Sequence, residues 1–273
     1  MNPIRRLGDW MLFGTDGIRG EVVESPTNDK LAISQLLEER TISPRLLRII
    51  GEALSRIVDV GSNVIIGWDN RPSNPDLVAA LTTGLHLGGC KVTHGGICAT
   101  PALHNALLET KSALGCMITA SHNPVTDSGI KVFDSDGFKT SPKLENEISE
   151  LVIQLAAEER EVDLIHQQEL SIPDLQFNAD IAHQELLVVR LAEFSGLFAP
   201  PAHMDLLVDS SKGAASEWLS VFLGHYGISS NDVSIYAQAL NENCGAGELS
   251  PNDTWTWEEA ARSEHVLIKS LKR

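Results

Sequence analysis

The stretch Met117-Ile-Thr-Ala-Ser-His-Asn-Pro-Val-Thr-Asp-Ser-Gly-Ile-Lys131 joins a strand signal to a polar turn. The apolar run at residues 114–118 predicts a buried strand, and Pro124 prevents a helix from following it. Between them lie a hydroxyl, an imidazole and an amide, a common combination in functional sites. Taken alone, however, Ser-His-Asn-Pro is more typical of a tight turn, because Ser and Asn side chains bond their own backbone. The rest of the chain has to decide between these interpretations.

Length and charge restrict the class of protein. The 273 residues suggest about two domains. With 37 acidic and 21 basic residues the net charge is −16, which argues against nucleic acid or an anionic membrane as the main partner, since both need a basic surface. An anionic substrate would therefore need a local cluster of cations.

Two features point to a cytoplasmic protein. No apolar run reaches the length of a secretion signal or a membrane span. Four cysteines lack the spacing of a metal site and lie mostly in apolar surroundings, as expected of reduced thiols rather than disulfides. They are Cys90, Cys98, Cys116 and Cys244.

The hydrophobic periodicity contains two strand, helix, strand units, which are typical of a largely parallel sheet. In the first unit, strands at 64–68 and 91–94 flank a helix that Ser73 or Asn74 can cap and Pro75 can open. The second unit has strands at 205–209 and 233–236 around a helix at 213–224. Further helices are predicted within 29–58, with a break near Ser43-Pro44, and at 141–160, 175–194 and 254–270. The fold class is therefore α/β, with a boundary between 1–162 and 163–273.

Two loops carry candidate functional residues. Residues 13–20, Phe-Gly-Thr-Asp-Gly-Ile-Arg-Gly, form a glycine-shaped loop that can present Asp16 and Arg19, although a plain hairpin turn at Asp16-Gly17 fits equally well. After the strand at 64–68 comes Asp-Asn-Arg-Pro-Ser. Its Arg71 can add positive charge to a site, but a loop arginine is more often a solvated surface residue.

These blocks, together with residues 241–251, resemble the α-D-phosphohexomutase family, and most closely its phosphoglucosamine mutase branch. The resemblance implies two tandem three-layer α/β/α domains with mixed, largely parallel sheets, the second incomplete. It also implies that Ser121 carries a phosphoryl group, which passes to one hydroxyl of a hexose or hexosamine phosphate before the other phosphate returns to the serine. The net reaction moves phosphate between the 6 and 1 positions.

The resemblance assigns a role to each site residue. Arg19 pairs with the phosphate of Ser121, His122 donates hydrogen bonds to it, and Lys131 acts as general acid or base. The residues expected to support the loop or the phosphate are Thr15, Asp16, Asn123 and Arg71.

The chain also departs from the family pattern. The sequence ends before the loop of alternating Asp and Gly that holds Mg²⁺ in the family, which leaves Ser121, through its phosphate, as the one implied ligand. A hard divalent ion needs about six oxygen ligands, so we expect weak Mg²⁺ binding and little mutase activity from this chain alone. The second domain also lacks a closing strand, which predicts self-association or a partner chain at its open edge.

Two other functions fit parts of the sequence. A non-catalytic, shortened relative could bind a phosphosugar or a protein, but it would be expected to lose Ser121, His122, Arg19 and Lys131. A serine hydrolase is disfavoured, because Ser121 lacks the flanking glycines of a nucleophile elbow and the adjacent His122 cannot easily reach back as its base.

Overall fold

The computed structural model describes residues 12–158, 167–194, 205–236, 239–244 and 254–271. Seven strands form one mixed sheet in the order β2-β1-β6-β5-β3-β4-β7. They are β1 (Ile18–Val22), β2 (Thr41–Ile42), β3 (Asn63–Trp68), β4 (Lys91–Ile97), β5 (Leu114–Ile118), β6 (Asp127–Asp134) and β7 (Leu175–Gln176). Four of the six strand pairings are parallel, and only β6 runs antiparallel to its neighbours β5 and β1. The predicted α/β class with a largely parallel sheet is confirmed.

Helices cover both faces of this sheet. They are α1 (Asp29–Glu39), α2 (Pro44–Ser55), α3 (Asn74–Leu87), α4 (Thr100–Thr110) and α5 (Pro142–Ala157). Side chains alternate along the strands, so Val64 and Ile66 pack with α1, α2, α3 and α5, whereas Ile65 packs with α4 on the opposite face. The result is the three-layer arrangement that the resemblance implied.

Local sequence signals explain where several of these helices begin. The Ser43 hydroxyl accepts a hydrogen bond from Leu46 N at the start of α2, and Ser141 accepts one from Leu144 N at the start of α5. These contacts confirm the predicted break at Ser43-Pro44 and the predicted start at Ser141. For α3, Ser73 occupies the predicted N-cap position and Pro75 lies in the first turn, but the Ser73 side chain makes no capping hydrogen bond and Asn74 lies inside the helix.

The strand predicted at 114–118 is confirmed as β5, and all five of its residues are buried. It lies between β6 and β3 within the sheet. The four cysteines are buried and form no disulfide among the described residues. Burial raises the pKa of the Cys98 thiol to about 12, which keeps it protonated near neutral pH.

The segment after α5 differs from its prediction as one helix at 175–194. It contains α6 (Gln167–Leu170), then β7, then α7 (Ala179–Phe194). Strand β7 extends the first sheet by pairing with β4, and α7 packs on α4, so both lie against the unit that precedes them. The proposed boundary at residue 162 lies outside the described residues and stays a prediction.

The second unit is smaller. Its elements are β8 (Asp205–Val208), α8 (Leu219–Gly224), β9 (Ser229–Asp232), a 3-10 turn (Val233–Tyr236), α9 (Trp257–Arg262) and α10 (Val266–Ser270). Strands β8 and β9 are parallel and form a two-stranded sheet. Neither strand has a further partner among the described residues, so both outer edges of this sheet are unpaired there.

Three predictions for the second unit were wrong. The strand expected at 233–236 is the 3-10 turn, because Asp232 accepts a hydrogen bond from Ser234 N and turns the chain after β9. The helix expected at 213–224 begins only at Leu219. The helix expected at 254–270 is divided into α9 and α10, because Ser263 accepts a hydrogen bond from His265 N between them. Within the described ranges, no helix is long and apolar enough to span a membrane.

Candidate active site

Two neighbouring parallel strands end in polar residues at the same edge of the large sheet. Strand β3 is followed by Asp69, and β5 is followed by Thr119, whose hydroxyl donates to the Asp69 carboxylate at 2.6 Å. Asn74, at the start of α3, donates to the same carboxylate at 2.6 Å and to the carbonyl of Ile118 at 3.2 Å. These bonds fix the point at which the 119–127 loop leaves the sheet.

The Arg71 side chain binds the backbone of this loop from the protein interior. The sequence favoured a solvated surface residue, but the structure corrects that interpretation, because Arg71 is only 1% exposed. Its guanidinium pairs with Asp69 at 3.1 Å and donates to four loop carbonyls. These belong to Ser121 (2.9 Å), Asn123 (3.0 Å), Asp127 (2.8 Å) and Pro124. Turn carbonyls have no ladder partner, and the five donors of an arginine fork satisfy several of them at once.

Ser121 has a left-handed backbone conformation, with φ of +57°. A non-glycine residue adopts this conformation rarely and at an energetic cost, so the surrounding hydrogen bonds must hold it in place. Its N–H donates to Thr119 Oγ1 at 2.8 Å, and its carbonyl accepts from Arg71. The half-buried side chain then lies close to two cations: Oγ is 3.3 Å from Arg19 Nη2 and 3.2 Å from Lys131 Nζ.

The antiparallel strand β6 explains how these cations reach the serine. The chain turns after Ser121 and returns along β5, so that Lys131 lies opposite Met117. On its other side β6 pairs with β1, where Arg19 lies opposite Gly129. The ten-residue spacing between Ser121 and Lys131 is therefore the length of a hairpin that brings the lysine back beside the hydroxyl.

Asp16 lies among the cations of the site. It forms ion pairs with Lys131 Nζ at 2.9 Å, with Lys139 Nζ at 2.7 Å and with Arg19. Burial raises the pKa of Asp16, but the hydrogen bonds from Lys139 and Lys131 and the charges of Lys131 and Arg19 outweigh it and lower the pKa to about 2. Lys139 was not predicted as a site residue, because in the sequence it is simply a basic residue eight positions after Lys131.

The turn that carries Asp16 combines both sequence interpretations. Gly14 N donates to Gly17 O at 2.8 Å, so the loop contains a hairpin turn centred on Thr15-Asp16, one residue before the predicted Asp16-Gly17, and this turn also presents Asp16 to the site. Gly17 has φ of +87°, and a Cβ there would lie 2.2 Å from the carbonyl oxygen of Ile130. The turn therefore packs directly against β6.

The remaining predicted residues have less direct positions. His122 is exposed and makes no hydrogen bond to Ser121 within the described ranges. The Asn123 side chain donates to Asp127 at 2.9 Å, which closes the loop instead of reaching the serine hydroxyl. Thr15 is exposed, and its carbonyl accepts from Lys139 Nζ at 2.9 Å.

The second unit contributes a residue to the same loop. Asn241 donates through its side chain to the carbonyls of Ser121 at 2.9 Å and Asn123 at 3.0 Å. Its own N–H donates to Ser211 O at 3.0 Å, and Asn70 donates to Lys212 O at 2.6 Å across the same junction. Asn241 lies in the 241–251 block but had no predicted role, because contacts between distant segments leave no local pattern in the sequence.

Comparison with protein families agrees with this geometry. A family model described as phosphoglucomutase/phosphomannomutase, alpha/beta/alpha domain I, matches residues 11–159. The chain belongs to this family. The matched region contains β1 to β6, the 119–127 loop and the cations around Ser121.

Curated members of the family show the same relationship over a longer range. A phosphoglucosamine mutase of Francisella tularensis is 31% identical over 240 residues, covering 86% of this chain and 48% of that protein. One from Parasynechococcus marenigrum is 42% identical over 129 residues, which is 47% of this chain and 24% of that protein. The chain thus spans about half the length of the curated relatives it matches.

Solved structures share the fold. A putative phosphomannomutase from Thermus thermophilus superposes with a TM-score of 0.56 at 26% identity, covering 81% of this chain and 45% of that one. A phosphoglucomutase/phosphomannomutase family protein from Burkholderia thailandensis gives a TM-score of 0.57 at 20% identity, covering 83% and 44%. The arrangement of helices and sheet is therefore that of the mutase family.

The family implies Mg²⁺, and the residues around Ser121 can be compared with what that ion requires. In the part of the chain that the structure describes, no group of three or more His, Cys, Asp or Glu side chains could hold a metal. The Asp16 carboxylate contacts Lys131 Nζ, as Ser121 Oγ does, but it already pairs with three cations. A site for a hard divalent cation needs several free oxygen ligands, so the described residues do not fit Mg²⁺.

Proposed function

We propose that this chain carries the phosphoryl-transferring serine of a phosphosugar mutase. The observation that supports the proposal most strongly is that Ser121 Oγ lies within hydrogen-bond distance of both Arg19 and Lys131. In the proposed reaction the bond between Ser121 Oγ and phosphorus breaks as a sugar hydroxyl oxygen bonds to that phosphorus. The sugar hydroxyl gives up its proton and Ser121 Oγ takes one up, so the products are a sugar with two phosphates and a free serine hydroxyl. Transfer of the second phosphate back to Ser121 moves phosphate between the 6 and 1 positions.

The cations around Ser121 suit this chemistry. Phosphoryl transfer places charge on the non-bridging oxygens, and catalysis depends on neutralising that charge and on in-line alignment. Arg19 can pair with two of these oxygens through its planar fork. Lys131 already donates to Ser121 Oγ, so it can supply the proton when that oxygen leaves phosphorus and take it back in the reverse step.

The substrate class follows from the relatives rather than from the site. Those named phosphoglucosamine mutase suggest a hexose or hexosamine phosphate. Because the chain spans about half of those relatives and its described residues do not fit Mg²⁺, we propose that it binds the metal weakly and turns over slowly alone. A cytoplasmic location stays a prediction.

Labelling with a hexose bisphosphate tests the transfer step. The purified chain is incubated with bisphosphate that carries radioactive phosphorus, and label on the protein is followed with time. We expect one phosphoryl group per chain, located on Ser121 and absent from Ser121→Ala. The exposed Ser135→Ala variant is the matched control and should label normally. Equal labelling of Ser121→Ala and the unaltered chain would rule the proposal out.

Variants of Lys131 separate its proton-transfer role from its charge. Lys131→Met should slow labelling by about 10²- to 10⁴-fold, the usual contribution of a positioned general acid or base. Lys131→Arg keeps the charge but cannot readily exchange a proton, so it should stay closer to Lys131→Met than to the unaltered chain. Labelling at the normal rate in Lys131→Arg would assign a purely electrostatic role.

Within the described residues, the outer edges of β8 and β9 are unpaired, which favours a second candidate, a module that binds another chain. Light scattering over a range of concentrations tests it. Association that increases with concentration supports this candidate, and a monomer at high concentration excludes self-association.

A further inference from the structure

Ser121 and Asp16 share two nitrogen atoms. Lys131 Nζ is 3.2 Å from Ser121 Oγ and 2.9 Å from Asp16 Oδ2. Arg19 Nη2 is 3.3 Å from the same hydroxyl and also contacts Asp16 Oδ2. The second carboxylate oxygen of Asp16 pairs instead with Lys139 Nζ, at 2.7 Å. One oxygen of Asp16 therefore lies at the serine site and the other points away from it to a third cation.

A phosphoryl group on Ser121 would compete with this arrangement. Its oxygens are joined to Oγ through one phosphorus atom, so they reach the same two nitrogen atoms that Asp16 Oδ2 now contacts. A serine phosphate carries about −1.5 to −2 charges near neutral pH. Two anions cannot remain in contact with the same donors without strong repulsion, so one of them has to withdraw.

We propose that Asp16 occupies the place of the phosphoryl oxygens in the unphosphorylated chain and passes to Lys139 when Ser121 carries phosphate. This inference rests on the proposed function for the identity of the anion. Asp16 is then a positioning residue, which acts by holding Arg19 and Lys131 beside Ser121 while the phosphate is absent. After the exchange, Arg19 and Lys131 neutralise the charge of the phosphate, and Lys139 neutralises the charge of Asp16.

The surroundings of Asp16 allow its side chain, rather than its backbone, to move. The adjacent Gly17 packs against the Ile130 carbonyl so closely that the turn cannot shift toward β6. The side chains of Asp16 and Lys139 are 41% and 38% exposed, so both can rotate without opening the core. The low pKa of Asp16 keeps it anionic throughout the neutral range, which makes it a competitor for phosphate at all such pH values.

Binding of inorganic phosphate to the unphosphorylated chain tests this exchange. The chain is first shown to be free of phosphate by intact mass, and affinity is measured by calorimetry. Removing the competing carboxylate in Asp16→Asn should tighten phosphate binding on the order of tenfold, the effect of one like charge at contact distance in a partly exposed site. Asp136→Asn is the matched control, since it removes one exposed carboxylate from the neighbouring hairpin and should leave the affinity unchanged.

The Lys139→Met variant tests the exchange independently, because phosphate affinity should change in the opposite direction. Without Lys139, the cations that remain beside Asp16 in the described part of the chain are Arg19 and Lys131, so phosphate affinity should fall by several-fold. The inference is overturned if folded Asp16→Asn binds phosphate no more tightly than the unaltered chain, if Asp136→Asn gains as much, or if Lys139→Met does not weaken binding. Since Ser121 need not be modified in this assay, failure of the exchange is distinguishable from failure of the serine to label.

Discussion

Arg71 donates from a fully buried position to the backbone carbonyl of Ser121 at 2.9 Å. The contact links the end of β3 to the residue that faces the cations, and Asp69 fixes the other side of the guanidinium. Because this one side chain donates to four loop carbonyls, and Asn241 donates to two of the same four, the left-handed backbone of Ser121 is held by buried contacts rather than by the exposed part of the loop. The serine therefore has a fixed orientation toward Arg19 and Lys131.

Loss of Arg71 should destabilise the fold strongly. Arg71→Met leaves the buried carboxylate of Asp69 without its cation and removes one donor from each of four carbonyls, so we expect unfolding free energy to fall by about 3–5 kcal/mol. Urea unfolding measures the loss. Arg56→Met removes a half-exposed ion pair with Glu158 and should cost no more than about 1 kcal/mol. Similar losses in both variants would contradict the role assigned to Arg71.

Asn241 should couple the second unit to the serine loop. Asn241→Asp keeps the shape and tolerates the left-handed backbone (φ of +59°), but it replaces an N–H donor with a carboxylate that faces two carbonyls. Amide hydrogen exchange should then accelerate in residues 119–127. The control, Asn231→Asp, alters an exposed residue of β9 and should leave exchange in the loop unchanged. Unchanged exchange in Asn241→Asp would show that the junction does not support the loop.

The ion pairs that Asp16 makes with the surrounding cations should be lost only in strong acid. The pKa of Asp16 is lowered from 3.8 to about 2, so its contribution to stability is present above pH 3.8 and disappears as the pH falls toward 2. Asp16→Asn should remove this pH-dependent component, which unfolding measured between pH 5 and 2 for both chains would reveal. The same pH dependence in both chains would show that other carboxylates are responsible.

Isolated chain should convert glucosamine 6-phosphate slowly or not at all, for the reasons given above. A coupled assay that detects glucosamine 1-phosphate measures this turnover, with and without Mg²⁺. A folded chain whose Ser121 accepts label but which turns over poorly agrees with the proposal. Robust turnover by this chain alone would contradict it.

The first unit could be predicted from the sequence because its signals are local. The apolar run at 114–118 predicts a buried strand, and the Ser-Pro dipeptides predict the starts of α2 and α5. The alternation of strands and helices predicts a sheet that is covered by helices. The second unit could not be predicted as well. Its strand β9 is Ser-Ser-Asn-Asp, with no apolar signal, whereas the apolar residues Val233 and Ile235 that follow form a turn. Likewise, β7 has two residues, which is too short for any periodicity to show.

The candidate site was only partly predictable. Ser121, Arg19 and Lys131 come from sequence blocks, and the structure brings them together. The burial of Arg71 could not be predicted from the sequence. Most of the carbonyls that its guanidinium contacts lie more than fifty residues away along the chain. Asn241 and Lys139 reach the site through tertiary contacts, for which a single sequence carries no pattern.

Peptide mapping of the chain, before and after exposure to a hexose bisphosphate, shows directly whether Ser121 carries the phosphoryl group. We predict that phosphate is found on the peptide containing Ser121 and that its occupancy rises toward one group per chain after exposure. Stoichiometric phosphate on any other residue, with Ser121 unmodified in a folded chain, would contradict it.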